Sequence, residues 1–325
     1  MINNWISKNR TISPILTYYS LAMILLIPVL SFAWATDDRL VMGISAWIKP
    51  LKFTLSGLLY ALTLLSLPRY LNPVPRRTRL VLDISGAMLA IEMVLIYFQA
   101  FRARPSHFNA ETLEDMLIFN VMAFGISVFW AMNLVLMIWF LRQKAGEDLL
   151  KRGVIWGFLS ALLGMLVGFL MSTPSEMQLA ALQSGKQLAL MGSHTVGAPD
   201  GGAGIPFLNW SLEFGDLRVA HFIGIHAIQV LPLFTIWMAE RGNMPHLEAM
   251  RKVNLAGIGY LTLFFLSVWQ ALKQESITQP STETFWVLGL WFVGIIFTWW
   301  YIGQKTPRFH MQNDKNRTHT FIQQP

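Results

Sequence analysis

Of 325 residues, 54% are hydrophobic, 13% charged and 13% aromatic, the mean hydropathy is +0.46, and there is no cysteine. Soluble globular chains carry about 25% charged residues, so this composition argues against a soluble enzyme, a disordered chain and a nucleic-acid-binding protein. The missing thiols exclude disulfides, thiolate metal sites and iron–sulfur clusters. The formal charge of +7 is spread over short segments, where it reports orientation in a membrane.

One Lys, Arg or Asp at a helix centre costs about 2.5–3.5 kcal/mol on insertion scales, so charge-free runs mark the membrane spans. They cover residues 11–36, 53–68, 116–141, 153–175, 219–239, 253–272 and 284–304. The second run reaches the roughly 20 residues needed to cross when it starts near Trp47, with Lys49 and Lys52 snorkelling outward from its first turns. A further span, third in order, lies between Arg79 and Arg102 although it holds Asp83 and Glu92. The expectation is an all-α, polytopic membrane helix bundle of about eight transmembrane helices, one integral membrane domain over residues 1–325. Ala33-Trp34-Ala35 resembles a small-x-small signal-peptidase site, but the apolar stretch from Ile15 to Trp34 is longer than a usual signal core, which favours an uncleaved anchor.

The basic residues divide by side. One side takes Lys8, Arg10, Arg69, Arg76, Arg77, Arg79, Arg142, Lys144, Lys151, Arg152, Arg241, Arg251, Lys252, Lys305, Arg308, Lys315 and Arg317. The other takes only Arg39, Arg102, Arg104, Lys186 and Lys273. By the positive-inside rule both termini are cytoplasmic, with a polar cytoplasmic tail over 304–325, and an even number of spans agrees.

The fifth span carries Gly153, Gly157, Ala161, Gly164 and Gly168, a small-residue ridge suited to close helix packing within the bundle. Residues 172–217 form a long periplasmic loop between the fifth and sixth spans. Thr173-Pro174-Ser175-Glu176 predicts an N-cap, an N1 proline and a capping-box glutamate, followed by a short helix to about Leu190. The glycine- and proline-rich run from Gly192 to Pro206 reads as a lid-like segment, anchored by Phe207, Leu208, Trp210 and Phe214.

Polar residues inside the membrane need a partner or a water-filled cavity. At 100° per residue, Ser85, Glu92 and Gln99 share a face of the third span, and Lys49, Lys52 and Ser56 a face of the second. Glu92 lies about 13 Å below Phe101, with Lys52 as the expected partner and Arg102 or Arg104 as alternatives. In the sixth span Arg218, His221, His226 and Gln229 fall within an arc of about 140°, above Pro232, where a kink is expected. His107 and His194 lie in loops on the same side as His221 and His226, giving four imidazoles toward the outer leaflet.

Three chemistries compete. His107, His194, His221 and His226 are candidate ligands for zinc, copper or a b-type haem, with Glu92, Asp200, Glu213 or Asp216 as oxygen donors. Alternatively, a midplane carboxylate, a lysine and a histidine form a proton-linked transport relay, with Asn133 and Asn254 on a lower path. In the third reading, Glu92, His221 or His226 serves as a catalytic acid or base without metal. Lys49, Lys52, Gln99, Arg102, Arg218 and Gln229 are the expected substrate-binding groups, cations among them suited to a phosphate or carboxylate. A structural scaffold with no active site is the bland alternative. The expected partner is the lipid bilayer and not nucleic acid; no protein partner is indicated.

The strings Trp47-Ile48-Lys49-Pro50-Leu51-Lys52-Phe53, Ser106-His107-Phe108-Asn109 and Gly192-Ser193-His194-Thr195-Val196-Gly197 resemble a family of bacterial multi-pass membrane proteins of uncharacterised function. So does the run from Gly215-Asp216-Leu217-Arg218 through His221-Phe222 to His226 and Gln229. The resemblance implies the bacterial inner membrane and no particular activity. The combined expectation is a pocket formed by the second, third and sixth spans, opening outward and covered by the 172–217 loop.

Overall fold

The computed structural model describes residues 2–71, 75–142, 149–240 and 244–305. The expected tail over 304–325 therefore lies outside the described residues from 306 onward, as do Lys144 and Arg241. The elements are α1 (Ile2–Ile12), α2 (Pro14–Thr36), β1 (Leu40–Val41), β2 (Ile44–Ser45), α3 (Ile48–Ser66, continued by a 3-10 turn Leu67–Tyr70), α4 (Thr78–Phe101), α5 (Leu113–Arg142), α6 (Leu149–Met171), α7 (Glu176–Gln183), β3 (Thr195–Val196), β4 (Gly215–Asp216), α8 (Leu217–Glu240), α9 (His246–Leu272) and α10 (Thr282–Lys305). Eight of them, α2 to α6 and α8 to α10, are long and apolar enough to cross a membrane.

The first run is not one helix. Ser13, in extended conformation, ends α1 and caps α2: its hydroxyl accepts from Leu16 N, and Pro14 occupies the first helical position, where a missing N–H costs nothing. The same hydroxyl donates to Asp83 Oδ1 at 2.5 Å, and Arg79 lies 3.5 Å from the other oxygen. The carboxylate in the third span thus serves α2's N-terminus, where the helix dipole favours an anion.

The glycine ridge of α6 packs on α8. A Cβ at Gly153 would meet Thr235, at Gly157 the backbone of Ala227 and Ile228, and at Gly164 the Cα of Gly224. Only hydrogen at these positions lets the two backbones approach so closely. α8 runs on through Pro232 to Glu240. Leu64, Leu136, Phe140, Val154, Phe158 and Ile228, all fully buried, form the bundle's inner core. α10 packs on α9 and buries only Thr284, turning Trp286, Leu290, Phe297 and Trp300 outward, as a lipid-facing helix would.

At one end, the connections 37–47, 102–112, 172–216 and 273–281 join into a lid. β1 and β2 form a hairpin through Met42 (φ 50°) and Gly43 (φ 79°), the two left-handed residues of a tight primed turn. Arg39 Nη1 donates to Phe101 O, Met191 N to Phe108 O, and Ser276 Oγ to Ser211 O, each at 2.7 Å. β3 pairs with β4 antiparallel, tying the long loop to the start of α8. These two small pairings are the departure from an all-helical expectation.

The short lid helix differs from the sequence reading in both boundary and cap. Ser175, not Thr173, is the N-cap, and its box partner is Gln178, not Glu176. α7 stops at Gln183 rather than near Leu190, because Gly185 (φ 78°) turns the chain. Gln178 Nε2 then donates to the carbonyls of Leu190 and Gly192, so the box partner also fixes the returning chain.

Candidate functional site

Beneath the lid is a cavity of about 650 Å³. α3 supplies Lys49, Lys52 and Ser56 to its wall, α4 supplies Glu92, and α8 supplies Arg218, His221 and His226. α2 adds Tyr19, α5 adds Phe119, Met122 and Phe129, and the lid adds His107, His194, Asp200, Leu208 and Trp210. The three spans expected to form the pocket do so, together with α2, α5 and α6.

Glu92 does not pair with Lys52. The chain after α4 folds back through Ala103 and Phe108, both at positive φ, and carries His107 down onto the glutamate. His107 Nε2 lies 3.3 Å from Glu92 Oε1, while its Nδ1 lies 3.1 Å from both Lys49 Nζ and Ser106 Oγ. An ammonium can only donate, so Nδ1 accepts and Nε2 carries the proton toward the carboxylate. Lys49 is hydrogen-bonded to His107, whose other nitrogen faces Glu92 at ion-pair distance, so the three groups stand in a row. Glu92 Oε2 is buried without a hydrogen-bond partner among the described residues. Burial and the neighbouring Lys49 lower the His107 pKa, although Glu92 opposes the shift, so the ring stays neutral near physiological pH.

Lys52 instead reaches the lid, donating to Leu208 O at 2.8 Å. Arg218 is held by Asp216 through Nε–Oδ1 at 2.9 Å and Nη2–Oδ2 at 2.6 Å. Asp216 is itself oriented by the backbone N–H groups of Ser211 and Arg218, so the guanidinium is a fixed fork.

His194 and Asp200 make the tightest ionisable pair, Nδ1 to Oδ2 at 2.6 Å. Asp200 also accepts from the backbone N–H of His194 and Thr195 and from Ser193 Oγ. Burial pushes the His194 pKa down to about 4 in spite of that carboxylate. Burial alone would raise Asp200, but the ring and backbone donors around it outweigh this and hold it well below the usual carboxylate range. Nδ1–H is thus committed to Asp200, which presents the Nε2 lone pair of a neutral imidazole. Phe108 packs on the ring at 4.9 Å between centroids.

His221 donates Nδ1–H to Gly164 O at 2.8 Å, a contact that exists because Gly164 and Gly224 bring α6 against α8. Both nitrogens of His226 are engaged: Nδ1 by Gln229 Oε1 at 3.2 Å and Nε2 by Ser56 Oγ at 3.1 Å. His226 is consequently a bridge between α3 and α8 more than a free base, and Gln229 serves that bridge without lining the cavity.

Two further expectations are corrected. Gln99 and Arg102 do not line the cavity. They surround Asp115, fully buried at the start of α5, which accepts from Gln99 at 2.9 Å, Arg102 at 3.2 Å, Arg104 at 2.6 Å and Thr112 at 2.7 Å. This network ties α4 to α5 and to the lid. Nor do His107, His194, His221 and His226 gather as one ligand set: no group of three His, Asp or Glu residues among those described could hold a metal ion. Among the described residues the donors do not form a shared three-ligand zinc or copper site.

The cavity ends below in a closed layer. Tyr60 Oη donates to Asn133 Oδ1 at 2.9 Å, with Leu64, Leu136 and Phe140 packed beneath. Asn254, the other residue expected on a lower path, accepts from Trp156 Nε1 at 3.2 Å.

Sequence reasoning missed the grip of Asp200 on His194. The Pro199-Asp200-Gly201-Gly202 turn was its one visible signal. It also missed Tyr19, whose buried hydroxyl lines the cavity without a hydrogen-bond partner among the described residues. A tyrosine in an apolar span reads as packing.

Fold and site together define a multi-pass membrane protein with an ionisable, lid-covered cavity in one half of its bundle. No family model, curated protein or solved structure matches the chain.

Proposed function

We propose that this chain is a membrane-embedded catalytic protein of the bacterial inner membrane, with cytoplasmic termini and a pocket facing the periplasm, and that it performs acid–base chemistry on a bound anionic molecule. One observation carries the reading: Lys49, Lys52, Glu92, His107, His194, Asp200, Arg218 and His221 line a single cavity closed at its inner end. Ionisable groups are costly in a membrane bundle and cluster at functional sites, so their concentration in one cavity supports this reading. The closed floor favours a pocket over a transport path, and the distribution of basic residues supports the orientation.

The roles follow from the bonding. His194 is the base, since Asp200 fixes its tautomer and leaves Nε2 with its lone pair. Asp200 is a positioning residue. Lys49, His107 and Glu92 offer a second proton route, and Lys52 with Arg218 holds the anion.

The test is product formation. Purified protein is incubated with extracted inner-membrane lipids and periplasmic small molecules, and products are followed by mass spectrometry. A product made by the natural chain, and lost in folded His194→Ala and Glu92→Gln variants, is expected. If no product depends on the natural chain, the catalytic reading fails.

A further inference from the structure

The cavity is not sealed on its membrane side. Leu55 and Leu59, at mid-height on α3, line it while remaining 37% and 52% exposed. Across from them on α8, Phe222 lines it while 43% exposed, with Ile225 and His226 beside it. Leu55 and Leu59 near the middle of α3, and Phe222 in the second turn of α8, line the cavity and are also exposed, which marks an opening toward lipid acyl chains. Ser56 and His226 cross this cleft as a single hydrogen-bonded bridge at 3.1 Å.

The cleft leads inward to three cations of the cavity wall, Lys49, Lys52 and Arg218. Among the described residues neither Lys49 nor Lys52 has a carboxylate within ion-pair distance, whereas Arg218 is paired with Asp216. Burying cations together is costly unless an anion joins them. The remaining wall is mainly aliphatic and aromatic, as a chain-binding pocket requires.

We infer that the cavity opens sideways into the bilayer between α3 and α8 and takes an anionic amphiphile, its phosphate or carboxylate headgroup at Lys52 and Arg218 and its acyl chain leaving past Leu59 and Ile225. The inference rests on the pocket reading above but needs binding alone, not turnover. A protein that binds without converting would refute only the catalytic reading.

The test uses the full chain in lipid nanodiscs with three probes: dioleoyl phosphatidate, dioleoyl phosphatidylcholine and inorganic phosphate. Retained ligand is read by native mass spectrometry, and folding is checked by thermal unfolding. Phosphatidate is expected to bind saturably, with affinity reduced at least ten-fold by Lys52→Met and by Leu59→Trp, which plugs the cleft. Leu290→Trp, on the lipid face of α10, is expected to change nothing. Should Leu59→Trp fail to fold, Leu55→Trp replaces it. Equal binding of phosphatidylcholine would overturn the anion requirement. Tight binding of inorganic phosphate that ignores Leu59→Trp would place the route through the lid and overturn the lateral opening. Phosphatidate affinity unchanged in Lys52→Met would overturn the headgroup site.

Discussion

The most informative single perturbation lies outside the cavity wall. In Gly164→Ala the new Cβ would sit 2.6 Å from Gly224 Cα and 2.7 Å from Ile225 N. Carbons in ordinary contact stand about 3.5–4.0 Å apart, so α6 and α8 must separate by about 1 Å. Backbone lies on both sides, leaving no side chain to swing away. Overpacking of this kind costs about 1–3 kcal/mol, and alanine's better helix propensity returns up to about 1 kcal/mol. A net loss of up to about 2 kcal/mol is expected, with weakening of the 2.8 Å bond from His221 Nδ1 to Gly164 O. Gly168→Ala is the matched control: its Cβ would meet only His221 Cε1, at an ordinary 3.7 Å. Unfolding midpoints in mixed micelles should therefore fall for Gly164→Ala and hold or rise for Gly168→Ala. Equal loss in both variants would refute the argument that one backbone contact sets the α6–α8 spacing.

Other outcomes follow from individual groups. Asp115→Ala removes the fully buried carboxylate that Arg102 and Arg104 share and leaves them Glu114 and Glu111, so the unfolding midpoint is expected to fall. The His194 pKa near 4 gives a pH dependence with a definite sign. Between an ordinary histidine value of about 6.5 and pH 4, the unfolded chain binds a proton that the folded chain does not, so His194 makes stability fall as pH falls through that window. His194→Phe should flatten this part of the unfolding-midpoint profile; an unchanged slope would contradict the neutral imidazole. Lys52→Met removes a half-buried cation that has no carboxylate partner among the described residues, and stability should hold or rise; a loss above about 2 kcal/mol would make Lys52 a structural residue.

The fold was legible in the sequence wherever one residue decides the cost of crossing a membrane. Charge-free runs located the spans, and the glycines of α6 foretold their contact face, because both signals are local. Helix periodicity likewise set Lys49, Lys52 and Ser56 on one face, and all three reach the cavity. Partners were not legible. Glu92 was assigned to Lys52 by depth alone, but two left-handed residues, Ala103 and Phe108, return the loop and deliver His107 instead. Gln99 shares a helix face with Glu92, yet Asp115 sixteen residues later draws it into a different network. The lid shows the same division. Its short helix was foreseen from a proline beside a serine, while its end and its cap partner depended on Gly185 and on carbonyls at 190 and 192. Long-range hydrogen bonding chooses among side chains that sequence spacing leaves equivalent.

The absence of cysteine makes one measurement decisive for the central claim, that these ionisable groups line a single pocket reached from one side. Single cysteines are introduced as Ser172→Cys at the rim, Ser56→Cys in the cavity, and Ser160→Cys, which is fully buried away from it. Each is exposed to a membrane-impermeant thiol reagent from either face of oriented vesicles. Ser172→Cys and Ser56→Cys should label from the periplasmic face, and Ser160→Cys from neither. Labelling of Ser56→Cys from the cytoplasmic face, or from neither face while Ser172→Cys reacts, would contradict the account.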